Sequence, residues 1–312
     1  MALKLVFCGT PEFAVPTFEA ILAAGHEVAL AVTQPDKPVG RKMELQPPPV
    51  KVAAEAHGIP VVQPARIKQN EEFRAQLEAI RPDAIIVVAY GRIIPKWMLD
   101  LPPLGNINLH GSLLPKYRGA APIQWAIANG ETATGVTTMR IDEGLDSGPL
   151  LLAEVQWVAP EETAVDVFEC LADVGAKLMV KTLHRLECGI IAAIEQNHAE
   201  ATHAPILKRE DGLIDFSRAA HQVYNRWRGF QPWPGAFTTL RGKKFIAHKM
   251  CPAPAISGTP GELRIEQGRL YAVCGDGTAV ELVEVQAEGK RRMSAAEFLR
   301  GFQVQAGERL GR

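Results

Sequence analysis

Asn108 and His110 are separated by a single residue in the apolar run Asn106–His110. Side chains of a strand alternate between the two faces of a sheet, so both would project from one face if this run is a strand. An asparagine amide can donate a hydrogen bond to a developing oxyanion, and a histidine can accept or donate a proton near neutral pH. The pair therefore suggests proton transfer at a carbonyl, although both residues could instead bond backbone groups at a strand end.

A loop with glycines and three acids follows at residues 142–148. Its Asp146 could orient His110, stabilise the charged form of that histidine, or take a proton from an amine. A turn-forming aspartate that bonds its own backbone is the alternative. Asp142 and Glu143 offer the same chemistry, so residue type and spacing leave the choice among the three acids open.

Short apolar runs alternate with helix-like segments in the part of the chain that must position these residues. Strands are predicted at Leu3–Cys8, Glu27–Thr33, Ala84–Ala89, Gly105–His110 and Gly135–Met139, and helices at Val15–Ala24, Val50–His57, Asn70–Ile80 and Thr163–Glu187. This alternation predicts an α/β, Rossmann-like, mostly parallel sheet with helices on both faces. Ligands of such sheets bind beyond the carboxyl ends of the strands, which is where Asn108 and His110 would lie.

The charge balance changes along the chain. Residues 1–207 carry 17 Lys and Arg against 24 Asp and Glu, whereas residues 208–312 carry 17 against 11. Short runs broken by glycine and proline predict a small antiparallel C-terminal β-barrel, similar to an OB-fold. Its strands are predicted at Ala236–Leu240, Lys244–His248, Gly261–Ile265, Arg269–Val273 and Val280–Val285. We therefore predict a domain at 1–189, a linker at 190–207, and a basic barrel at 208–312 that favours a polyanionic partner.

Several classes of protein are disfavoured by what the sequence lacks. The five cysteines are scattered without a C-x-x-C pair, and no His, Asp or Glu cluster has metal-ligand spacing, so we expect no metal. Gly9-Thr10-Pro11 departs from the G-x-G-x-x-G pattern of nicotinamide enzymes, and no P-loop pattern is present. No stretch approaches the roughly 18 apolar residues of a membrane span, so we expect no membrane contact and a cytoplasmic location.

The run Asn106–Ile123, NINLHGSLLPKYRGAAPI, resembles the signature of the 10-formyltetrahydrofolate-dependent formyltransferases. Asp142–Gly148 is similar to the second active-site loop of that family. The resemblance implies that Asn108, His110 and Asp146 form the catalytic group, and that 10-formyltetrahydrofolate is the co-substrate, with no metal. It also implies a folate pocket lined, largely through backbone contacts, by Ser112, Leu113, Leu114 and Pro115.

Further features resemble the members of this family that formylate the methionine of initiator methionyl-tRNA. They are the opening LKLVFCGTPEFAVP, the insertion QPDKPVGRK within Gln34–Pro49, and the small basic C-terminal part. The insertion of those members contacts the tRNA acceptor end, which implies tRNA contacts by Arg41 and Lys42. The expected partner is initiator methionyl-tRNA, and we expect a monomer.

Three questions stay open at this point. Either His110 or Asp146 could take the first proton. The protein could instead formylate an aminosugar nucleotide or release formate from the folate, with the same catalytic residues. An RNA-binding protein with a decayed enzyme domain is a hypothesis of a different class, which the intact Asn108, His110 and Asp146 disfavour.

Overall fold

The structure is a computed structural model that describes residues 2–39 and 43–311. The chain forms two compact units, each built from separate segments. The first unit comprises Met1–Pro122, Ala133–Trp157 and Val167–Pro205, and the second comprises Ile123–Thr132, Val158–Asp166 and Ile206–Arg312. The domain boundaries predicted at residues 189 and 208 stay a prediction.

The first unit is built on one large sheet. The strands of this unit are β1 (Lys4–Gly9), β2 (Glu27–Val32), β3 (Lys37–Val39), β4 (Glu44–Gln46), β5 (Val61–Val62), β6 (Ala84–Val88), β7 (Asn106–His110), β8 (Arg118–Gly119), β9 (Ala133–Arg140), β10 (Leu150–Trp157) and β11 (His203–Ala204). Two pairs, β3 with β4 and β8 with β11, form small separate sheets. The sheet has the order β10-β9-β7-β6-β1-β2-β5. From β7 to β5 the strands run parallel, while β9 and β10 are antiparallel to their neighbours. The prediction of a mostly parallel sheet is confirmed.

Helices cover both faces of this sheet. The helices up to residue 187 are α1 (Val15–Ala23), α2 (Pro49–Ala56), α3 (Glu71–Ile80), α4 (Lys96–Leu99), α5 (Pro122–Ala128) and α6 (Ala164–Glu187). Of these, α5 belongs to the second unit from Ile123 onward. On one face, Phe7 of β1 packs edge-on against Phe18 of α1, with ring centroids 5.2 Å apart. On the other face, Cys8 of β1 joins a buried cluster with Phe73 and Leu77 of α3. Consecutive residues of β1 thus serve opposite faces, as the pleat of a strand requires.

Side-chain caps explain where two of the helices begin. The Asn70 side chain accepts a hydrogen bond of 3.0 Å from the backbone N–H of Phe73, and α3 starts at Glu71, directly after Asn70. The Asp166 carboxylate accepts from the backbone N–H and the hydroxyl of Thr163, at 2.8 and 2.7 Å. These hydrogen bonds lower the pKa of Asp166 below its ordinary value. The predicted starts of both helices therefore agree with the structure to within one residue.

The second unit is an antiparallel sheet closed by the end of the chain. Its named elements after residue 206 are β12 (Phe237–Leu240), β13 (Lys243–Ala253), β14 (Leu263–Glu266), β15 (Arg269–Val273), β16 (Ala279–Ala287), β17 (Met293–Ser294), α7 (Ala220–Gly229) and α8 (Ala295–Gly301). The strand order is β12-β13-β16-β15-β14, with β17 on β16. Leu310 forms a bridge with Leu240 of the edge strand β12, and Arg309 forms one with Glu262, next to the other edge strand. Pairing at both edges gives the small barrel that the sequence predicts.

Some elements differ from the sequence prediction. The insertion Gln34–Pro49, expected to be an irregular loop, contains the hairpin of β3 and β4. Strand β10 was not predicted, because it is an edge strand with exposed Val155 and Trp157 and no clear alternation. After residue 207 the sequence analysis predicts strands alone, whereas the structure also has helices α7 and α8. Among the helices described, none combines the length and hydropathy that crossing a bilayer requires.

Candidate active site

Asn108 and His110 lie on β7, which ends at His110 in the interior of the sheet. The strand pairs in parallel with β6 and antiparallel with β9, where Asn108 is opposite Met139 and His110 is opposite Thr137. The spacing of two puts both side chains on one face, as predicted. Asn108 is half-buried, and its amide has no hydrogen-bond partner within the described residues 2–39 and 43–311. An amide that the fold leaves unpaired is free to donate to a bound carbonyl oxygen.

The His110 ring is held by a backbone carbonyl. The side chain is buried, and its Nε2 lies 2.9 Å from the carbonyl oxygen of Tyr117. A carbonyl only accepts, so Nε2 must carry the hydrogen, which fixes the tautomer of the neutral ring. The remaining nitrogen, Nδ1, lies 3.7 Å from Oδ2 of Asp146, too far for a direct hydrogen bond. Nδ1 is therefore the ring nitrogen that is available for proton exchange, and it lies beside a carboxylate.

The chain after β7 folds back to supply that carbonyl. Tyr117 has a positive φ of 61°, and its backbone N–H donates to the Thr202 hydroxyl at 2.8 Å. The next two residues form β8, which pairs in parallel with β11. The Tyr117 carbonyl is thus fixed from both sides, so the orientation of the His110 ring depends on the YRG sequence within the signature.

Asp146 is held by a backbone donor from β8. Its Oδ2 accepts a hydrogen bond of 2.8 Å from the N–H of Gly119. Gly119 has a φ of 123°, and a Cβ there would lie 2.6 Å from the carbonyl oxygen of Ala204. Only glycine fits this position, so β8 can lie close to β11 while the Gly119 N–H donates to Asp146. Asp146 itself has a φ of 48°, a conformation that aspartate tolerates better than most residues.

The other two acids of the loop have different partners. The Asp142 carboxylate accepts from the Ser147 hydroxyl at 3.0 and 2.9 Å and from the N–H of Gly144 at 3.0 Å, so it shapes the turn. Glu143 is exposed and lies 3.7 Å from Lys96. Of the three acids, Asp146 is the one that faces His110 within the described part of the chain.

The loop Ser112–Pro115 is attached to β9 through one threonine. The buried Thr137 hydroxyl donates to the Ser112 carbonyl at 2.7 Å and accepts from the Leu114 N–H at 3.3 Å. The Ser112 hydroxyl donates to the Lys116 carbonyl at 2.6 Å, and Leu113 packs against Gly135, where a Cβ would come within 2.6 Å of it. The side chains of this loop are thus largely used for its own fold. Sequence reasoning missed Thr137, because no motif marks its contact across the sheet.

The two residues predicted to contact tRNA are not among those that the structure describes. Arg41 and Lys42 lie outside the described residues, between β3 and β4 in the sequence. The described residues also contain no group of three or more His, Cys, Asp or Glu side chains placed to hold a metal ion.

Comparison with known proteins finds relatives along nearly the whole chain. The formyl transferase family model matches residues 3–183, and the model of the formyl transferase C-terminal domain matches residues 206–303. A methionyl-tRNA formyltransferase of Acidobacterium capsulatum is 62% identical over 310 residues, covering 99% of this chain and 100% of the relative. One from Solibacter usitatus is 50% identical, covering 99% of each chain.

Solved structures show the same fold at lower sequence identity. An N-formyltransferase of Helicobacter canadensis, in complex with folinic acid and dTDP-3-aminofucose, has a TM-score of 0.68 at 19% identity. The alignment covers 92% of this chain and 100% of that one. HypX of Aquifex aeolicus, in complex with tetrahydrofolic acid, has a TM-score of 0.64 at 17% identity, covering 99% of this chain and 49% of that one.

The resemblance inferred from the Asn106–Ile123 signature is therefore confirmed along nearly the whole sequence, and the chain belongs to the methionyl-tRNA formyltransferase family.

Proposed function

We propose that this protein transfers the formyl group of 10-formyltetrahydrofolate to the amino group of methionine on initiator methionyl-tRNA. The observation that carries this proposal is the 62% identity, along 99% of the chain, to a protein named methionyl-tRNA formyltransferase. The chemistry of the site supports it, because an unpaired amide, an imidazole nitrogen and a carboxylate suit acyl transfer to an amine.

The first step requires a neutral amine, so a base must take a proton as the amine attacks. We assign that role to His110. Its Nε2 is committed to the Tyr117 carbonyl, and its Nδ1 is open. The open Nδ1 can take the proton of the attacking amine, whereas Oδ2 of Asp146 already accepts from the Gly119 N–H. Asp146 then stabilises the positively charged ring from 3.7 Å, and its own position is fixed by the Gly119 N–H.

The second step requires stabilisation of the formyl oxygen and a proton for the leaving nitrogen. 10-Formyltetrahydrofolate supplies the formyl group. Asn108 donates its amide N–H to the formyl oxygen as negative charge develops there. The Nδ1–H of His110 then protonates the leaving nitrogen as its bond to the formyl carbon breaks. One proton thus moves from the amine to the leaving nitrogen, and the histidine ends neutral.

A substrate comparison tests the proposed function. Purified protein is supplied with 10-formyltetrahydrofolate and either methionyl-tRNA or a dTDP-aminosugar, and formylated product is measured by mass. We expect formylation of methionyl-tRNA alone. Formylation of the sugar nucleotide alone, or tRNA binding without transfer, would show that the substrate assignment is wrong.

We further propose that the loop Ser112–Pro115 binds the folate, largely through its backbone. The support is its start two residues after His110 and the Thr137 hydroxyl that fixes two of its backbone groups. A loop held in this way can present its free backbone groups to a ligand without further ordering.

Thr137→Val tests this role of the loop. The substitution keeps the size of the side chain but leaves the Ser112 carbonyl and the Leu114 N–H without their partner, which costs about 1–3 kcal/mol. We expect the KM for the folate to rise about tenfold, as a loss of about 1.4 kcal/mol in binding would give. Steady-state kinetics and thermal unfolding measure the two effects. The control is Thr182→Val, another buried threonine, whose hydroxyl donates to Leu178. An equal rise in KM in both variants would refute a specific role for Thr137.

Recognition of tRNA is the third part of the proposal. We propose that Arg41 and Lys42 contact the tRNA and that the basic barrel, residues 208–312, binds its phosphates. The support is the resemblance of the insertion, and the excess of 17 Lys and Arg over 11 Asp and Glu in the barrel. Phosphate contacts of this kind give affinity without reading sequence.

Arg41→Ala is expected to raise the KM for methionyl-tRNA about tenfold, because one charge-assisted phosphate contact contributes on the order of 1.5–3 kcal/mol. The KM for the folate should not change. Initial rates at varied concentrations of each substrate separate the two constants. Arg66→Ala removes an exposed arginine elsewhere on the first unit and serves as the control. If Arg41→Ala raises both constants equally, the proposed tRNA contact is wrong.

A further inference from the structure

The loop 142–148, which carries Asp146, is held by one buried side chain from a distant part of the chain. The amide nitrogen of Gln196 donates to the carbonyl oxygens of Asp146 at 2.9 Å and of Gly148 at 2.7 Å. Gln196 is 5% exposed, and it lies 50 residues after Asp146. Both N–H groups of the amide are therefore used on the backbone of this one loop.

Arg118 fixes the orientation of that amide. Its Nε and Nη2 donate to Oε1 of Gln196 at 3.1 and 2.6 Å, and Nη2 also lies 3.1 Å from Nδ1 of His198. A guanidinium only donates and a backbone carbonyl only accepts, so the Gln196 amide fits in one orientation. Within residues 2–39 and 43–311, Arg118 has no carboxylate partner, although it is buried. Its charge therefore polarises the Gln196 amide and strengthens the two N–H bonds to the loop.

The loop depends on such support. It belongs to no helix or strand, it contains Gly144 and Gly148, and Asp146 has a positive φ. Its internal bonds join Asp142 to Ser147 and Gly144, and they leave the Asp146 backbone unattached. The direction of the Asp146 carboxylate toward His110 is therefore set by the bond from Gln196 on the backbone and the bond from Gly119 on the side chain.

We propose that Gln196 is a positioning residue, which holds the Asp146 loop so that the carboxylate faces Nδ1 of His110, and that Arg118 orients the Gln196 amide for this purpose. The kinetic consequence rests on the proposed function, whereas the structural consequence does not.

Hydrogen exchange tests the structural consequence. In Gln196→Met, which has similar size but no donors, the peptides covering residues 141–150 should exchange faster than in the wild type. Gln156→Met makes the same substitution at a glutamine of β10 whose side chain donates to the Trp157 carbonyl, and it should leave this exchange unchanged. Equal protection of the loop in the wild type and in Gln196→Met would overturn the proposal, whatever reaction the protein catalyses.

Kinetics test the consequence for catalysis. Misplacement of a catalytic group by about 1 Å costs on the order of 10²-fold, so Gln196→Met should lower kcat by about 10–100-fold with little change in either KM. Gln196→Glu keeps the acceptor for Arg118 but loses the donors to the loop, and it should lose as much activity. A normal kcat in Gln196→Glu would overturn the proposal. An inactive wild type would instead refute the proposed function, and the exchange result would still stand.

A double-mutant cycle separates positioning from general destabilisation. If Gln196 acts through the Asp146 carboxylate, Gln196→Met should have little further effect on kcat in an Asp146→Asn background. If Gln196 merely stabilises the fold, the two substitutions should act independently. Independent effects, together with a lowered melting temperature, would contradict the positioning role.

Discussion

His110→Ala is expected to lower kcat for formyl transfer by about 10²–10⁴-fold, the range for loss of a positioned acid–base group. His110 is assigned both proton transfers, from the attacking amine and to the leaving nitrogen, so both steps lose their carrier. The substitution leaves unchanged the groups proposed to contact tRNA, which are Arg41, Lys42 and the basic residues of the barrel. The KM for methionyl-tRNA should therefore change much less than kcat, and steady-state kinetics separates the two.

The substitution also removes the donor to the Tyr117 carbonyl, so some loss of stability is expected. A buried carbonyl without its partner costs about 1–3 kcal/mol, which thermal unfolding would detect while the protein remains folded at assay temperature. His57→Ala is the matched control, because His57 is partly exposed and pairs with Glu19 at 2.8 Å. A near-normal kcat in folded His110→Ala would remove His110 from the mechanism.

Asp146→Asn is expected to reduce kcat by about 10²–10⁴-fold, since it removes the negative charge that faces Nδ1 of His110. Asparagine tolerates the positive φ of this position, and its side-chain oxygen can still accept from the Gly119 N–H. The substitution therefore changes the charge while it preserves the shape of the loop. Kinetics with both substrates, together with hydrogen exchange of the loop, would verify that only the chemistry has changed.

Glu143→Gln provides the matched control within the same loop. It makes the same carboxylate-to-amide change three residues earlier, at an exposed side chain near Lys96. We expect nearly normal kcat in this variant, because an exposed ion pair contributes little. If Glu143→Gln loses the activity and Asp146→Asn keeps it, the acid has been assigned incorrectly.

The placement of Asn108 and His110 was predictable because it depends on local geometry. An apolar run ended by Gly111 and broken at Pro115 indicates a strand, and a spacing of two puts both residues on one face. The parallel sheet followed from the alternation of strands and helices. Strand β10 is not predicted, because exposed apolar residues such as Val155 and Trp157 break the alternation expected of a strand with one covered face.

The choice of Asp146 over Asp142 and Glu143 could not be made from residue types. It depends on which carboxylate is consumed by the turn and which faces His110, and both are set by contacts between distant segments. In the sequence, only the resemblance to the formyltransferase family favours Asp146.

The roles of Gln196 and Thr137 could not be predicted from the sequence, for one shared reason. Each acts through hydrogen bonds to backbone groups between about 25 and 50 residues away, and a backbone carbonyl leaves no mark in the sequence. Gln196 falls within residues 190–207, a segment without periodicity that the sequence predicts to be a linker. Pattern reasoning finds periodic elements, and it passes over single buried glutamines that support a loop.

The most direct test of the proposed reaction is a single-turnover experiment with labelled formyl donor and excess protein. Initiator and elongator methionyl-tRNA are supplied side by side, to the wild type and to His110→Ala. We predict rapid transfer of label to the methionine amine of the initiator by the wild type, little transfer to the elongator, and a first turnover about 10²–10⁴-fold slower in His110→Ala. Absence of transfer by the wild type would contradict the proposed reaction. An equal first turnover in the two proteins would contradict the assignment of proton transfer to His110.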